Sequence, residues 1–280
     1  MALARCSLCR CMRLDHDLHI HTYLSSCCGA KEEQRPGKIL RLAEAMELKA
    51  VGFADHVWVN PAIAPSGWYR SQDASQIRRL REDLETIPTR LRVLVGCEAE
   101  TVAPGRFGIT PEFAATLDFV LLSCTHFHMT DFVAQPASDR PEDVARHMLA
   151  FFRAAATSGL ATAIAHPFKP FGYLAQYEAA IAAIPDAEFL EVLGPAAERG
   201  VALEVTTSSL PPVGRPSEPG APTWSLETPA RVLSLARQAG CRFTLGTDAH
   251  EPAHQRQLPR LGALVAAAGI EEKDLLPLAR

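Results

Sequence analysis

The chain has 280 residues, of which 48% are hydrophobic and 21% are charged, and its formal net charge is −4. This length and composition are typical of one large globular domain, and α/β barrels often reach this size as a single unit. The negative net charge gives no sign of the basic surface that nucleic-acid-binding proteins use, so we do not expect nucleic acid as a partner. Because no apolar run reaches membrane-spanning length and no secretory signal is evident, we expect a cytoplasmic protein without membrane attachment.

Strand-like and helical segments alternate along the chain. In chain order, short apolar runs predict strands over 17–22, 50–56, 92–97, 118–125, 162–166, 202–207 and 242–248. Apolar residues at helical spacing predict helices over 36–49, 74–87, 141–158, 186–199 and 228–239, with shorter ones over 111–117, 174–184 and 258–268. Such alternation favours parallel strands with right-handed crossovers, so we predict an α/β fold and a (β/α)7 barrel.

Proline and glycine punctuate these elements. Prolines suit first helical turns and glycines suit helix ends, and they stand in those places at Pro36, Pro111, Pro141, Gly159, Gly200 and Gly240. Long loops follow four of the strands, at 57–73, 127–140, 167–173 and 208–227. In barrels of this kind the loops after the strands build the active face.

The N-terminal segment carries a lone Cys6-x-x-Cys9-x-Cys11 pattern. No second pair of cysteines or histidines lies nearby, so the pattern is weak evidence for a zinc site. We predict that residues 1–11 are a disordered extension and that residues 12–280 form a single barrel domain.

Six histidines stand at the ends of strand-like segments, with acidic residues among them. The motifs are Asp17-Leu-His19-Ile-His21, Asp55-His56, Gly96-Cys-Glu98, Ser123-Cys-Thr-His126, His166-Pro167 and Asp248-Ala-His250. Residues two apart in a strand face the same side, so each HxH or DxH pair can hold one ion. Imidazole and carboxylate are ligands of Zn, Mn or Fe. The strand ends therefore predict a transition-metal site on the active face of the barrel.

The order of these motifs resembles the polymerase and histidinol phosphatase (PHP) family of metal-dependent phosphoesterases, from Asp17 to His254. The size of the chain, its Trp68-Tyr69-Arg70 loop and the segment 203–208 resemble the histidinol-phosphate phosphatase branch most. The resemblance implies a distorted (β/α)7 barrel with the metal site at the C-terminal ends of the strands. It also implies two or three divalent transition-metal ions, Zn, Mn or Fe, as cofactors.

The resemblance further implies which side chains bind these ions. One ion would be held by His19, His21, Glu98 and Asp248, and a second by Glu98, His126 and His166, with Glu98 as the bridge. A third would use His56, His250 and the residue six positions after His21, which is Cys27 where many members have histidine. A thiolate is also a good zinc ligand. Two alternatives stay open, namely that Cys28 is the inward thiol, or that the third site is vacant and Cys27 only packs.

The implied reaction is phosphomonoester hydrolysis by metal-activated water, because clustered ions lower the pKa of water and clamp phosphoryl oxygens. No Gly-x-Ser-x-Gly motif or Cys–His pairing favours a covalent nucleophile. Catalytic roles are predicted for Glu98, Asp248 and His250. Loop cations are predicted to contact a small phosphorylated substrate, with Lys169 first, Arg70 second and Arg215 as a further candidate. Three other residues are predicted to orient the ligands by contacting them on the side away from the metal: Asp55, Glu204 and His254.

Histidinol phosphate is the leading substrate, and three alternatives remain. A PHP phosphoesterase acting on nucleotides or short oligonucleotides is the nearest. An amidohydrolase-like metal hydrolase also uses HxH, two later histidines and a final aspartate, but such enzymes commonly bridge their ions with a modified lysine, whereas Glu98 is available here. The last alternative is a non-catalytic PHP interaction module, against which the nearly complete ligand set argues.

Overall fold

The structure, a computed structural model, describes residues 12–212 and 222–277. Its strands are β1 (His16–Ile20), β2 (Ala50–Phe53), β3 (Arg92–Val95), β4 (Cys97–Ala103), β5 (Arg106–Phe107), β6 (Val120–Ser123), β7 (Ala163–Ala165), β8 (Ala202–Thr206) and β9 (Phe243–Gly246). Its helices are α1 (Pro36–Ala45), α2 (Ser75–Glu85), α3 (Pro111–Ala114), α4 (Pro141–Ala156), α5 (Tyr177–Ala183), α6 (Asp186–Glu198), α7 (Glu227–Gln238), α8 (Pro252–Gln255) and α9 (Leu261–Ala268). The predicted extension at 1–11 and the candidate phosphate contact Arg215 lie outside the described residues.

The strands form two sheets that join into one ring. β1, β2 and β3 make a parallel sheet, and the other sheet has the order β5, β4, β6, β7, β8, β9, parallel except for the short β4–β5 ribbon. Single parallel bridges connect the sheets, between Ile20 and Ala249 on one side and between His56 and Glu98 on the other. The bridges close the circle of strands, and the predicted α/β class and barrel are confirmed.

Gly96 interrupts the third predicted strand. β3 pairs with β2, whereas β4, which begins directly after Gly96, pairs with β6. A Cβ atom on Gly96 would lie 2.5 Å from the backbone oxygen of Phe119, so the close approach requires glycine. The predicted end of this strand at 97 is wrong, because β4 runs on to Ala103 and turns back into β5. With β3 and β4 counted as one broken strand, the described residues form a seven-stranded ring.

Helices pack around the ring, and they begin and end where the prolines and glycines predict. Pro36, Pro111 and Pro141 each lie in the first turn of a helix. The three predicted stop glycines have φ values of 75°, 69° and 87°, in the left-handed region where glycine ends helices at little cost: Gly159, Gly200 and Gly240. The longest helix, α4, buries an apolar face whose large side chains each contribute roughly 1.5–3 kcal/mol, namely Val144, Met148, Phe151 and Phe152.

Within the described residues, no helix has both the length and the apolar character needed to cross a membrane.

Candidate metal centre

The carboxyl ends of the strands gather all nine predicted ligands into three overlapping groups. In each group the donor atoms lie within 4.8 Å of one another. The first group is His19, His21, Glu98 and Asp248; the second is Glu98, His126 and His166; the third is His21, Cys27, His56 and His250. Because two of these residues belong to two groups each, the three groups form one continuous cluster.

The first group is built on the two-residue period of β1 and its continuation. His19 and His21 present their Nε2 atoms 3.2 Å apart. The same nitrogens lie 3.2 and 3.4 Å from Oε2 of Glu98. Oδ1 of Asp248 lies 3.6 and 3.4 Å from them. Two imidazoles and two carboxylates from three distant parts of the chain therefore face a common point.

The donor chemistry of this point fits a divalent transition metal. Nδ1 of His19 donates to Oε1 of Glu204 at 2.7 Å, so Nε2 is the ring nitrogen that faces the common point. Nδ1 of His56 is buried without a hydrogen-bond partner, and it lies 3.4 Å from Oε2 of Glu98. Buried polar atoms are rarely left unpaired, and convergent nitrogen and carboxylate donors are the ligands of Zn, Mn and Fe.

Glu98 connects the first and second groups through its two oxygens. While Oε2 faces His19 and His21, Oε1 lies 2.8 Å from Nε2 of His166 and 3.6 Å from Nε2 of His126. The side chain is 1% exposed. One carboxylate oxygen thus serves each group, as the predicted bridging role requires.

The third group answers which thiol faces the site. Cys27 lies with three imidazoles, whereas Cys28 is a buried core residue outside the groups found in the described residues. The ring of His21 stacks on those of His250 and His56, with centroids 4.4 and 4.7 Å apart. The structure adds His21 to the predicted third set, a membership that its spacing with His19 did not indicate.

Two site residues have positive φ, a backbone conformation that residues other than glycine rarely adopt. His166 has φ 32° and Asp248 has φ 54°. Positive φ at a residue other than glycine costs of order 1–3 kcal/mol and persists where surrounding contacts impose it. Here the backbone N–H of His166 donates to Oε2 of Glu204 at 2.7 Å, and Ala249 pairs with β1 directly after Asp248. Strain at two of the predicted ligands is typical of a functional site.

The three predicted supporting residues differ in what they contact. Glu204 accepts from both His19 and the backbone of His166, so it holds residues of two groups. Asp55 belongs to none of the groups, and it accepts from Ser25 Oγ at 2.8 Å, which in turn lies 3.3 Å from Nδ1 of His21. His254 contacts the backbone N–H of His250 through Nδ1 at the longer distance of 3.4 Å.

Sequence reasoning missed a further carboxylate, Glu100. Its Oε2 accepts from Nδ1 of His126 at 2.7 Å and from the hydroxyl of Tyr69 at 3.2 Å, and it is fully buried. Glu100 therefore turns Nε2 of His126 toward Glu98. The available signal was its position two residues after Glu98, on the same face of β4. Another missed contact is Thr125 Oγ1, 3.1 Å from Nδ1 of His166.

Burial and neighbouring charges set the protonation of the cluster. Burial opposes ionisation of Glu98, yet the charge of His19 and the hydrogen bonds from His166 and His19 hold the pKa of its carboxyl well below its usual range. Burial lowers the pKa of His56 well below its usual value. A hydrogen bond with Cys28, together with burial, raises the pKa of the Cys27 thiol to about 12. Ligation by Cys27 therefore requires a cation that displaces this proton.

Above the cluster lies a cavity of about 480 Å³. Its lining combines six of the predicted ligands with five other side chains: Trp68, Tyr69, His128, Met129 and Phe171. Of the predicted phosphate contacts, the two that lie in the described residues, Arg70 and Lys169, are not part of this lining. Arg70 is exposed, and Lys169 is buried, donating to the carbonyl of Ser208. Burial lowers the pKa of Lys169 to about 8.

No family model matches this chain, and no curated protein matches it in sequence. Among solved structures, histidinol phosphate phosphatase from Lactococcus lactis subsp. lactis, complexed with zinc, L-histidinol and phosphate, has a TM-score of 0.51. The two chains are 17% identical over 89% of this chain and 93% of the other.

Two further structures are less similar. N-isopropylammelide isopropylaminohydrolase from Burkholderia multivorans has a TM-score of 0.44 at 12% identity, covering 94% of this chain and 70% of that one. A D-hydantoinase has a TM-score of 0.36 at 12% identity, covering 84% and 46%. Scores this low support no conclusion, and at 17% identity the Lactococcus protein demonstrates a shared fold alone.

Proposed function

We propose that this chain is a metal-dependent phosphomonoesterase that uses metal-activated water, with histidinol phosphate as its first candidate substrate. The observation that carries the proposal is the sharing of Glu98 between two donor groups at the bottom of a ligand-sized cavity. The order of the motifs, which resembles the PHP family, supports the choice of phosphate esters. The fold shared with histidinol phosphate phosphatase is compatible with it.

The three groups would hold two or three ions. His19, His21 and Asp248 would complete one site with Glu98, and the two imidazoles of the second group would complete the next. Cys27 would serve a third ion with His56 and His250. When bound, such ions supply Lewis acidity to phosphoryl oxygens and lower the pKa of water, which is the chemistry that phosphomonoester hydrolysis needs.

The chain's own residues supply orientation and shielding. Glu204 and Glu100 fix the ring nitrogens of His19 and His126, so these rings need not reorganise during the reaction. Glu98 keeps its carboxylate ionised through the neighbouring imidazoles. Asp248 and His250 border the cavity, and we propose that one of them passes a proton to the leaving oxygen.

Two cations of the described residues are proposed to contact the phosphate. Lys169 has a buried ammonium group that lies over the rings of Phe171 and Trp224, at 4.7 and 5.2 Å from their centroids. To reach the cavity, the ammonium group of Lys169 must break its hydrogen bond with the carbonyl of Ser208. Arg70 is exposed on the loop that carries Trp68, so it can meet a substrate only from the cavity mouth.

The test is a reconstitution experiment. The purified protein is stripped of metal, reloaded separately with Zn, Mn or Fe, analysed for ions per chain, and assayed with histidinol phosphate, other monoesters, diesters and an amide. We expect two or more ions per chain and phosphate release from monoesters, with Glu98→Gln losing both. Fewer than one ion per chain, or cleavage of the amide alone, would contradict the proposal.

A further inference from the structure

Tyr69 lies where the lining of the cavity meets the residues that hold the metal ligands from outside. It belongs to the loop 57–73 that follows β2, and it borders the cavity although it is only 1% exposed. Its hydroxyl donates to Oε2 of Glu100 at 3.2 Å. The phenol therefore joins a loop that lines the cavity to a carboxylate of β4 that belongs to none of the three donor groups.

Glu100 is a buried carboxylate that depends on hydrogen bonds for its place. Its Oε2 accepts from Nδ1 of His126 at 2.7 Å as well as from Tyr69, and its Oε1 accepts from the backbone N–H of Thr101 at 3.2 Å. Within residues 12–212 and 222–277, no lysine or arginine nitrogen lies within 4.0 Å of it. Because a buried carboxylate is costly without donors, each of these three hydrogen bonds helps to hold it in one orientation.

The orientation of Glu100 decides where the second donor group forms. With Nδ1 of His126 bound to Glu100, Nε2 of the same ring lies 3.6 Å from Oε1 of Glu98. A carboxylate that pivots turns the imidazole with it and separates these two donor atoms. Replacing a residue that holds a metal-binding histidine by its other nitrogen typically weakens metal binding about 10–100-fold. Tyr69 holds that residue in turn, so we expect an effect at the lower end of this range.

The ring of Tyr69 is tied to the loop around it. Its centroid lies 4.7 Å from that of Trp68, 5.2 Å from that of Trp58 and 5.9 Å from that of Phe132. Its backbone carbonyl accepts from the N–H of Gln72 at 2.9 Å. Because a ring packed in this way has little room to move by itself, a shift of its hydroxyl displaces its neighbours in the loop as well.

We propose that Tyr69 is a positioning residue that couples the loop 57–73 to the second donor group through Glu100 and His126. Binding of an ion by this group fixes the chain of hydrogen bonds and orders the loop that lines the cavity. The ordered loop strengthens the binding of that ion by the same factor, since coupling between two sites is reciprocal. The proposal rests on the metal centre of the proposed function and does not depend on which ester is hydrolysed.

The test measures zinc binding in a double-mutant cycle without substrate. Tyr69→Phe removes the hydroxyl and keeps the ring, whereas His126→Ala removes the second donor group. By competition with a chromophoric chelator, we expect Tyr69→Phe to weaken the binding of one zinc ion roughly tenfold and to leave the other ions within about twofold. In the His126→Ala background, which lacks the site of that ion, Tyr69→Phe should change nothing further.

Tyr23→Phe is the matched control. Its hydroxyl also donates to a carboxylate, Oδ2 of Asp83 at 2.9 Å, and neither residue belongs to a donor group. Zinc affinity should therefore equal that of the wild type at every site. If Tyr69→Phe weakens all ions equally, or weakens the remaining ions of His126→Ala as much as it weakens those of the wild type, the tyrosine does not act through the second group and the proposal is overturned.

Hydrogen exchange of peptides from 57–73, followed by mass spectrometry, measures the coupling itself. Zinc should slow this exchange in the wild type, and the protection should shrink equally in Tyr69→Phe and in His126→Ala, with no further loss in the double variant. A role in folding alone would instead speed the exchange with and without zinc.

The wild type and His126→Ala are sufficient if Tyr69→Phe does not fold. Equal zinc-dependent protection of 57–73 in these two proteins would overturn the coupling, and a smaller protection in His126→Ala would support it. Failure of the proposed function has a different signature, namely a wild type that binds its ions and shows the coupling but hydrolyses no phosphomonoester.

Discussion

Replacing Glu204 by glutamine tests how the strand ends are held in register around the metal centre. Its two oxygens accept from two donors, Nδ1 of His19 and the backbone N–H of His166, each at 2.7 Å. Glutamine keeps the shape but has one acceptor and one donor group. One of the two buried N–H groups must then face another donor, and the charge that strengthens both bonds is lost.

The size of the effect follows from these contacts. An unsatisfied buried donor costs about 1–3 kcal/mol of folding free energy. Loss of the carboxylate behind a metal-binding histidine typically weakens metal binding about 10–100-fold, or roughly 1.4–2.7 kcal/mol. Because His19 and His166 belong to different donor groups, we expect at least two ions to bind more weakly.

The assay combines urea unfolding of the chelated protein with competition against a chromophoric chelator. Glu198→Gln is the control, since Glu198 is exposed at the end of α6. Glu204→Asp, which keeps the charge on a shorter side chain, should recover part of the metal affinity. If Glu204→Gln matches the wild type within twofold in metal affinity and is equally stable, the carboxylate does not organise the site and the reasoning is wrong.

Four further predictions follow from the structure. Glu98→Gln should lose ions from both groups that share it, which elemental analysis of the reloaded protein will measure. Gly246→Ala should lower the unfolding free energy by about 1–3 kcal/mol in urea, because its Cβ would overlap the Glu204 carboxylate. Cys27 should react with iodoacetamide more slowly in zinc-loaded protein than after chelation, in an assay at alkaline pH because the pKa of the free thiol is about 12; equal rates, measured by mass spectrometry, would show that it only packs. Burial lowers the pKa of Lys169 to about 8, whereas in the unfolded chain the pKa is about 10. Between these two pH values the unfolded chain binds more protons than the folded one, so the free energy of unfolding should rise with pH by roughly 2 kcal/mol. The rise is measured by urea unfolding relative to Lys169→Met, which cannot titrate.

Much of the site could be predicted because its ligands follow local rules. His19 with His21, and Asp248 with His250, are two residues apart, and a motif at the end of a parallel barrel strand must lie on one face. Glu100 was missed although the same period places it beside Glu98, because a carboxylate within a strand does not reveal which partner it will meet. The sequence gives no indication that Met129 and Phe171 line the cavity, because their positions depend on how two long loops pack.

The resemblance to the PHP family implied the nine candidate ligands. The sequence by itself determined the alternation of strands and helices, their proline and glycine boundaries, and the placement of histidine and carboxylate motifs at strand ends. These features depend on short-range geometry, namely the two-residue period of strands, the 3.6-residue period of helices and the backbone limits of proline and glycine. Only the tertiary structure decided the contacts between distant residues. Glu204 meets His19 across 185 positions of the chain, and Cys27 rather than Cys28 joins the histidines. Such contacts depend on the closing of the ring and on the packing of its loops, which no local period encodes.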